Sequence, residues 1–216
     1  MSLADGAASP LHLTRSPRLD NALRLGWDAF SRTLAASGGE DAARWIAART
    51  GDPELVDIAE PLLAAAIDPD PDPEESAEAL FALAELAEET DDDLLADTFW
   101  EGALDRAQTA GDGDLIAEAT RRLAALAERL GDPLAAAEFF IGFLNWRRQP
   151  AHSSDPDDVE DAFDAIVRLA TIDGAHQAAA EYGYRQVQFT RLLDAEDERA
   201  VEGNWEAYAR PYEPWA

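Results

Sequence analysis

The chain has 216 residues, 47% of them apolar, and no Cys; this allows one sizeable domain or an elongated array, and excludes disulfide staples, thiolate metal sites and thiol nucleophiles. Acidic residues number 45 against 17 basic ones, every one of them Arg, for a formal net charge of −28. That balance disfavours direct binding to a nucleic-acid backbone, which needs clustered cations to displace counterions.

Residues 1–16 carry Gly, Ser and Pro10 without periodicity and read as an N-terminal arm, mobile unless something holds it. Helical pattern begins near Arg18, where Leu19, Leu23, Trp27, Phe30 and Leu34 recur at three- and four-residue steps and line one face of a single expected helix that ends at Gly38 and Gly39. A second helix is expected from about Glu40 to Arg49. Gly51-Asp52-Pro53 then stops one helix and starts the next, because Gly accepts the left-handed conformation, Asp caps and Pro suits a first turn. The same triplet returns at Gly131-Asp132-Pro133, and Asp-Pro recurs at Asp72-Pro73 and Asp155-Pro156.

A third helix is expected over 54–67. The run Asp68-Pro69-Asp70-Pro71-Asp72-Pro73 breaks it, since successive prolines remove donors and bias the residues before them away from helix. This run separates the N-terminal helices (17–67) from an array at 74–193, on which they are expected to pack. Six helices are expected in the array, at about 74–89, 92–109, 113–130, 133–149, 157–172 and 175–193. A tail from residue 194 mixes charge with Trp205, Tyr208, Tyr212 and Trp215, spaced unlike a plain exposed tail; it is expected to cap the outer face of the last hairpin, with a docking segment for another chain as the alternative.

The array carries an internal repeat. Leu123 to Glu128 and Gly131 to Leu144 overlay Leu83 to Glu88 and Asp91 to Leu104 at a shift of 40, so that Ala136, Phe140, Gly142 and Leu144 meet Ala96, Trp100, Gly102 and Leu104. At a shift of 43, Ala136, Glu138 and Phe139 meet Ala179, Glu181 and Tyr182. Two helices per repeat are what a stacked hairpin array requires, because one hairpin alone cannot bury its apolar face. Ala84, Ala124, Ala96, Ala136 and Ala179 would let axes approach, while Phe99, Trp100, Phe139, Phe140 and Tyr182 would fill the gap to the next hairpin.

These positions resemble the tetratricopeptide repeat (TPR): a small residue midway along the first helix, a Gly-Asp turn, an Ala on the second helix and an aromatic residue four positions later. The likeness covers about residues 76–193 and is clearest at 117–149. It lacks the family's early Trp, has Asp91 where the turn Gly belongs, and repeats at more than the family's 34 residues. A generic hairpin solenoid or a HEAT-like array of longer helices is the alternative. The expectation is an all-α chain of antiparallel hairpins stacked as a TPR-like right-handed superhelix.

The resemblance implies a concave groove lined by the first helices. Carried over position by position, its residues are Glu78, Phe81, Glu85, Glu88 and Glu89 in the first copy. The second supplies Glu118, Arg121, Ala125, Glu128 and Arg129; the third, Asp161, Asp164, Arg168 and Thr171. The groove would be acidic at one end and mixed at the other, suited to a basic peptide or protein, with Phe81 giving apolar contact; the Lys and Asn of the family's carboxylate clamp are missing. A solvated helix face is the plainer reading of the same carboxylates, and salt adaptation the plainer reading of the overall acidity.

Catalytic patterns find little support in the chain. Asp91, Asp92 and Asp93 with Asp97 superficially resemble a terpene-synthase metal motif but fall at an inter-helix turn, where capping is the expected role. His12, His152 and His176 lie in no Glu-x-x-His pair, and neither a phosphate loop nor a Gly-x-Ser-x-Gly elbow occurs. The expectation is therefore a non-catalytic interaction module without cofactor or metal. Structural subunit of a homo-oligomer or larger assembly is the second reading, and divergent all-α enzyme the third. No window approaches eighteen apolar residues, and Met1 to Pro10 carries neither a basic start nor an apolar run, so a cytoplasmic, non-membrane protein is expected.

Overall fold

Six of the described helices start with one device: a Ser or Asp side chain accepts the first free backbone N–H groups, often with Pro at the first helical position. Ser16 accepts from Leu19, Asp72 from Glu74 and Glu75, Asp92 from Leu95, Asp112 from Asp114 and Leu115, Asp132 from Ala135 and Asp155 from Asp157. The computed structural model describes residues 16–68, 72–148 and 155–194. Most of the expected N-terminal arm, His12, the centre of the Asp-Pro run, His152 and the aromatic tail beyond residue 194, with its expected capping role, lie outside the described residues.

The described residues form α-helices and no strand: α1 (Pro17–Leu23), α2 (Trp27–Ser37), α3 (Gly39–Thr50), α4 (Leu55–Ala66), α5 (Pro73–Glu89), α6 (Asp93–Ala110), α7 (Gly113–Arg129), α8 (Pro133–Arg147), α9 (Pro156–Ile172) and α10 (His176–Asp194). The chain is all-α, and the six helices expected beyond residue 73 are present to within two residues at each end. None of the described helices is long and apolar enough to cross a membrane.

One expected element is two. Residues 18–34 read as a single helix, but the chain breaks at Gly26, whose φ of 85° is open to Gly and strained for other residues. All five residues of the expected apolar face, Leu19, Leu23, Trp27, Phe30 and Leu34, are nevertheless buried. The break turns Trp27 onto Gly102 of α6, so close that a Cβ there would lie 2.7 Å from the indole Cδ2. The apolar period was thus a sound guide to burial and a poor one to continuity.

Each helix packs on the next along the chain, and α1 and α2 also reach α6. The Asp-Pro run does not interrupt packing: α4 lies against α5, and the Ser76 hydroxyl donates to the Ala66 carbonyl at 3.2 Å. Ala84, Ala96, Ala124, Ala136, Phe99, Trp100, Phe140 and Tyr182 are buried, and Ala179 and Phe139 are half-buried. Side chains of α1–α6 with the middle of α7 form one apolar cluster, and those of α7–α10 with Ala77 and Ala107 form a second. Phe139 packs against both.

Candidate functional site

The first helix of each expected repeat, α5, α7 and α9, carries Glu and Arg on the positions beside its buried stripe. Three arginines join the three helices, and a fourth ties α7 to α6. Arg122 reaches Glu88 of α5 at 3.3 Å and Glu85 at 3.9 Å, and is held on its own helix by Glu118 at 2.8 Å. Arg121 bonds Glu118 at 2.9 Å and Asp158 of α9 at 2.6 Å. Arg168 of α9 grips both oxygens of Glu128 of α7, at 2.6 and 2.8 Å. Arg129 bonds Asp93 at the start of α6, at 2.8 Å.

The electrostatics reflect this pairing. Burial alone would raise the Glu118 carboxyl, but hydrogen bonds from Arg122 and Arg121 outweigh it and hold the group below its ordinary range. The Arg168 hydrogen bonds hold Glu128 down in the same way. Conversely, the hydrogen bond to Glu118 raises Arg122, and the one to Glu128 raises Arg168. Arg121 is raised as well: burial opposes it, and bonds to Asp158 and Glu118 prevail.

The groove residues expected from the sequence therefore fall into two sets. Glu85, Glu88, Glu118, Arg121, Glu128, Arg129 and Arg168 are tied to one another or to neighbouring helices. Asp164 accepts from Gln186 Nε2 at 2.7 Å, and the Thr171 hydroxyl donates to Val167 of its own helix at 2.7 Å. Phe81 is half-buried and meets Trp100 edge-on, with ring centroids 4.8 Å apart, so part of the ring expected to face a ligand is spent in the core. Glu78, Glu89, Ala125 and Asp161 are exposed.

What remains open is concentrated on α5. Glu74, Glu75, Glu78, Glu85 and Glu89 are exposed there, and the sole cation near any of them among the described residues is Arg122, 3.9 Å from Glu85. The reason lies in the chain: no basic residue occurs between Arg49 and Arg106.

Arg122 was missed by the sequence reading. It lies over the Trp100 ring at 5.6 Å as well as bridging α5 and α7. The legible signal was the four-residue step from Glu118 to Arg122, which places opposite charges on one helix face. The Asp91–Asp97 cluster behaves as expected at a turn. Asp92 caps α6 and bonds Arg49 at 2.9 Å, and Asp93 pairs with Arg129. Among the described residues no group of three His, Asp or Glu is placed to hold a metal ion.

No family model, curated protein or solved structure matches this chain.

Proposed function

We propose that the chain is a TPR-like protein-interaction module whose α5–α7–α9 face takes a basic segment of another protein. The observation that carries this reading is the α5 carboxylate stripe of Glu78, Glu85 and Glu89, which the internal ion-pair network leaves almost without counter-charge. The arginines that would compensate it are engaged elsewhere, so a cationic partner supplies what the fold does not. Complementary fields of this kind speed encounter and set which partners are rejected. An acidic tail is one that would be repelled.

The TPR-like architecture is part of the same proposal. Its support is the recurrence of buried positions at the shifts read from the sequence: Leu80, Leu83, Ala84 and Ala87 on α5 correspond to Thr120, Leu123, Ala124 and Ala127 on α7, all buried. At the shift of 43, Thr120, Leu123 and Ala127 correspond to the buried Phe163, Ile166 and Ala170 on α9.

The test is calorimetric titration with an amphipathic Arg-Leu helical peptide at low and high salt. The variant E78Q/E85Q/E89Q should bind roughly tenfold more weakly, as expected from losing three exposed charge contacts. A control with the same loss of charge, D57N/E60Q/D105N, changes exposed carboxylates on α4 and α6 and should bind nearly as wild type. Equal weakening in both variants would mean that the peptide senses the overall field of the molecule and that the α5 face has no special part.

A further inference from the structure

In a chain of net charge −28, one surface is cationic. Arg18 of α1 and Arg32 of α2 are exposed, and neither has an ion-pair partner among the described residues. The carboxylates of α1 and α2 are Asp20 and Asp28, and neither forms an ion pair with these arginines. Asp20 accepts from Trp45 Nε1 at 3.3 Å and lies 3.7 Å from Arg49. Asp28 is exposed and forms no ion pair among the described residues. The arginines are thus left facing outward.

They also border apolar surface. Arg18, Ala22, Leu25, Ala29, Arg32 and Ala36 line a shallow depression of about 450 Å³, and Leu25 is 68% exposed. The face therefore offers a cation at either end of an apolar strip, and suits a helix whose carboxylates flank small or apolar side chains. The α5 stripe has that chemistry: Glu78 and Glu85 stand on either side of Ala82.

We propose that the Arg18–Arg32 face docks on the α5 carboxylate stripe of a second copy of this chain, head to tail. A two-fold arrangement of the arginine face on itself is disfavoured by charge, since it would bring four arginines together without counter-ions. A heterologous contact pairs opposite charges and leaves an unused Arg face at one end and an unused stripe at the other, so it propagates. The inference rests on the reading of the α5 stripe as a binding surface and assigns it a ligand present in the sequence. Repulsion between two strongly acidic copies is screened beyond about 8 Å at physiological ionic strength, while contacting pairs still attract.

Sedimentation velocity from micromolar to millimolar concentration in physiological salt tests this. Wild type should gain mass with concentration, whereas R18Q/R32Q and E78Q/E85Q/E89Q should each stay monomeric, with association weakened roughly tenfold or more. Mixed, the two variants should form a 1:1 complex that grows no further, because each retains the half that the other lacks. That recombination also shows that both variants fold. A wild type monomeric throughout, a single variant that still associates, or a mixture that fails to pair would overturn the proposal. If the basic peptide binds wild type while the chain stays monomeric, the reading of the α5 face survives and only its self-ligand fails.

Discussion

Glu101 lies under the start of α2, accepting from the Trp27 amide at 3.4 Å. Burial raises its carboxyl above the ordinary range, Asp97 adds to the rise, the Trp27 hydrogen bond opposes it and Asp28 adds a further push; Asp97 is raised by burial and then by Asp93. A carboxyl raised on folding binds protons more readily folded than unfolded, so its charge costs stability at neutral pH. That cost is relieved as pH falls through the raised folded value and is gone below the unfolded one. The variant D97N/E101Q keeps the acceptor for Trp27 and should melt higher than wild type at pH 7, the gap closing as pH is lowered toward 4 in thermal melts. Glycine supplies a second contrast, between equivalent repeat positions. Gly102→Ala would push a Cβ into Trp27 and should cost about 1–3 kcal/mol in denaturant unfolding. Gly142→Ala meets nothing within 4 Å and should gain roughly 0.5–1 kcal/mol from helix propensity. The sequence aligned these two glycines but not their difference, which depends on where α2 lands.

Helix ends keep the repeat register as closely as buried faces do. The same backbone bond closes the first helix of each copy, from Asp92 to Ala87 O, from Asp132 to Ala127 O and from Ala175 to Ala170 O, at the spacings of 40 and 43 read from the sequence. At the turn itself Gly131 and Gly174 have φ near 80°, and Asp91 adopts 55° in the place of a Gly. Asp tolerates the left-handed region through local hydrogen bonding, whereas Ala does not. Asp91→Ala should therefore cost about 1 kcal/mol and Asp91→Gly little or nothing. Asp132→Ala, which removes the α8 cap, should likewise cost about 1 kcal/mol by chemical denaturation. Helix number and limits beyond residue 73 were legible because Asp, Gly and Pro punctuate the chain by local chemistry. The Gly26 break was not, because a regular apolar period continues across it and its cause, the seating of Trp27 on α6, is tertiary. Half of the candidate face was legible in the same sense: a motif position places Glu118, Glu128 and Arg168 on one side of their helices, yet only the packed helices show that these groups pair with neighbouring charges while Glu78 and Glu89 of α5 do not.

At the scale of the molecule the excess of carboxylates sets the response to salt. Screening shortens the reach of self-repulsion from about 10 Å at 0.1 M to about 3 Å at 1 M, and weakens the exposed ion pairs too, but those are worth only about 0.2–1 kcal/mol each. Repulsion among 45 acidic residues facing 17 arginines should prevail, so the melting temperature should climb from dilute buffer to molar NaCl; a flat or falling curve in calorimetry would show that the pairs matter more than the excess. Acidification acts on the opposite side of the balance from Glu101: Glu118 and Glu128 are held low on folding, so their contribution is present above the unfolded carboxyl range and is lost as pH falls through the folded values. The most direct measurement is amide NMR mapping of the Arg-Leu peptide on the ¹⁵N-labelled chain. Shifts confined to exposed positions of α5, with weaker ones on α7 and α9, are the predicted result. Shifts centred on α8 and α10, or spread evenly over every acidic helix, would contradict it.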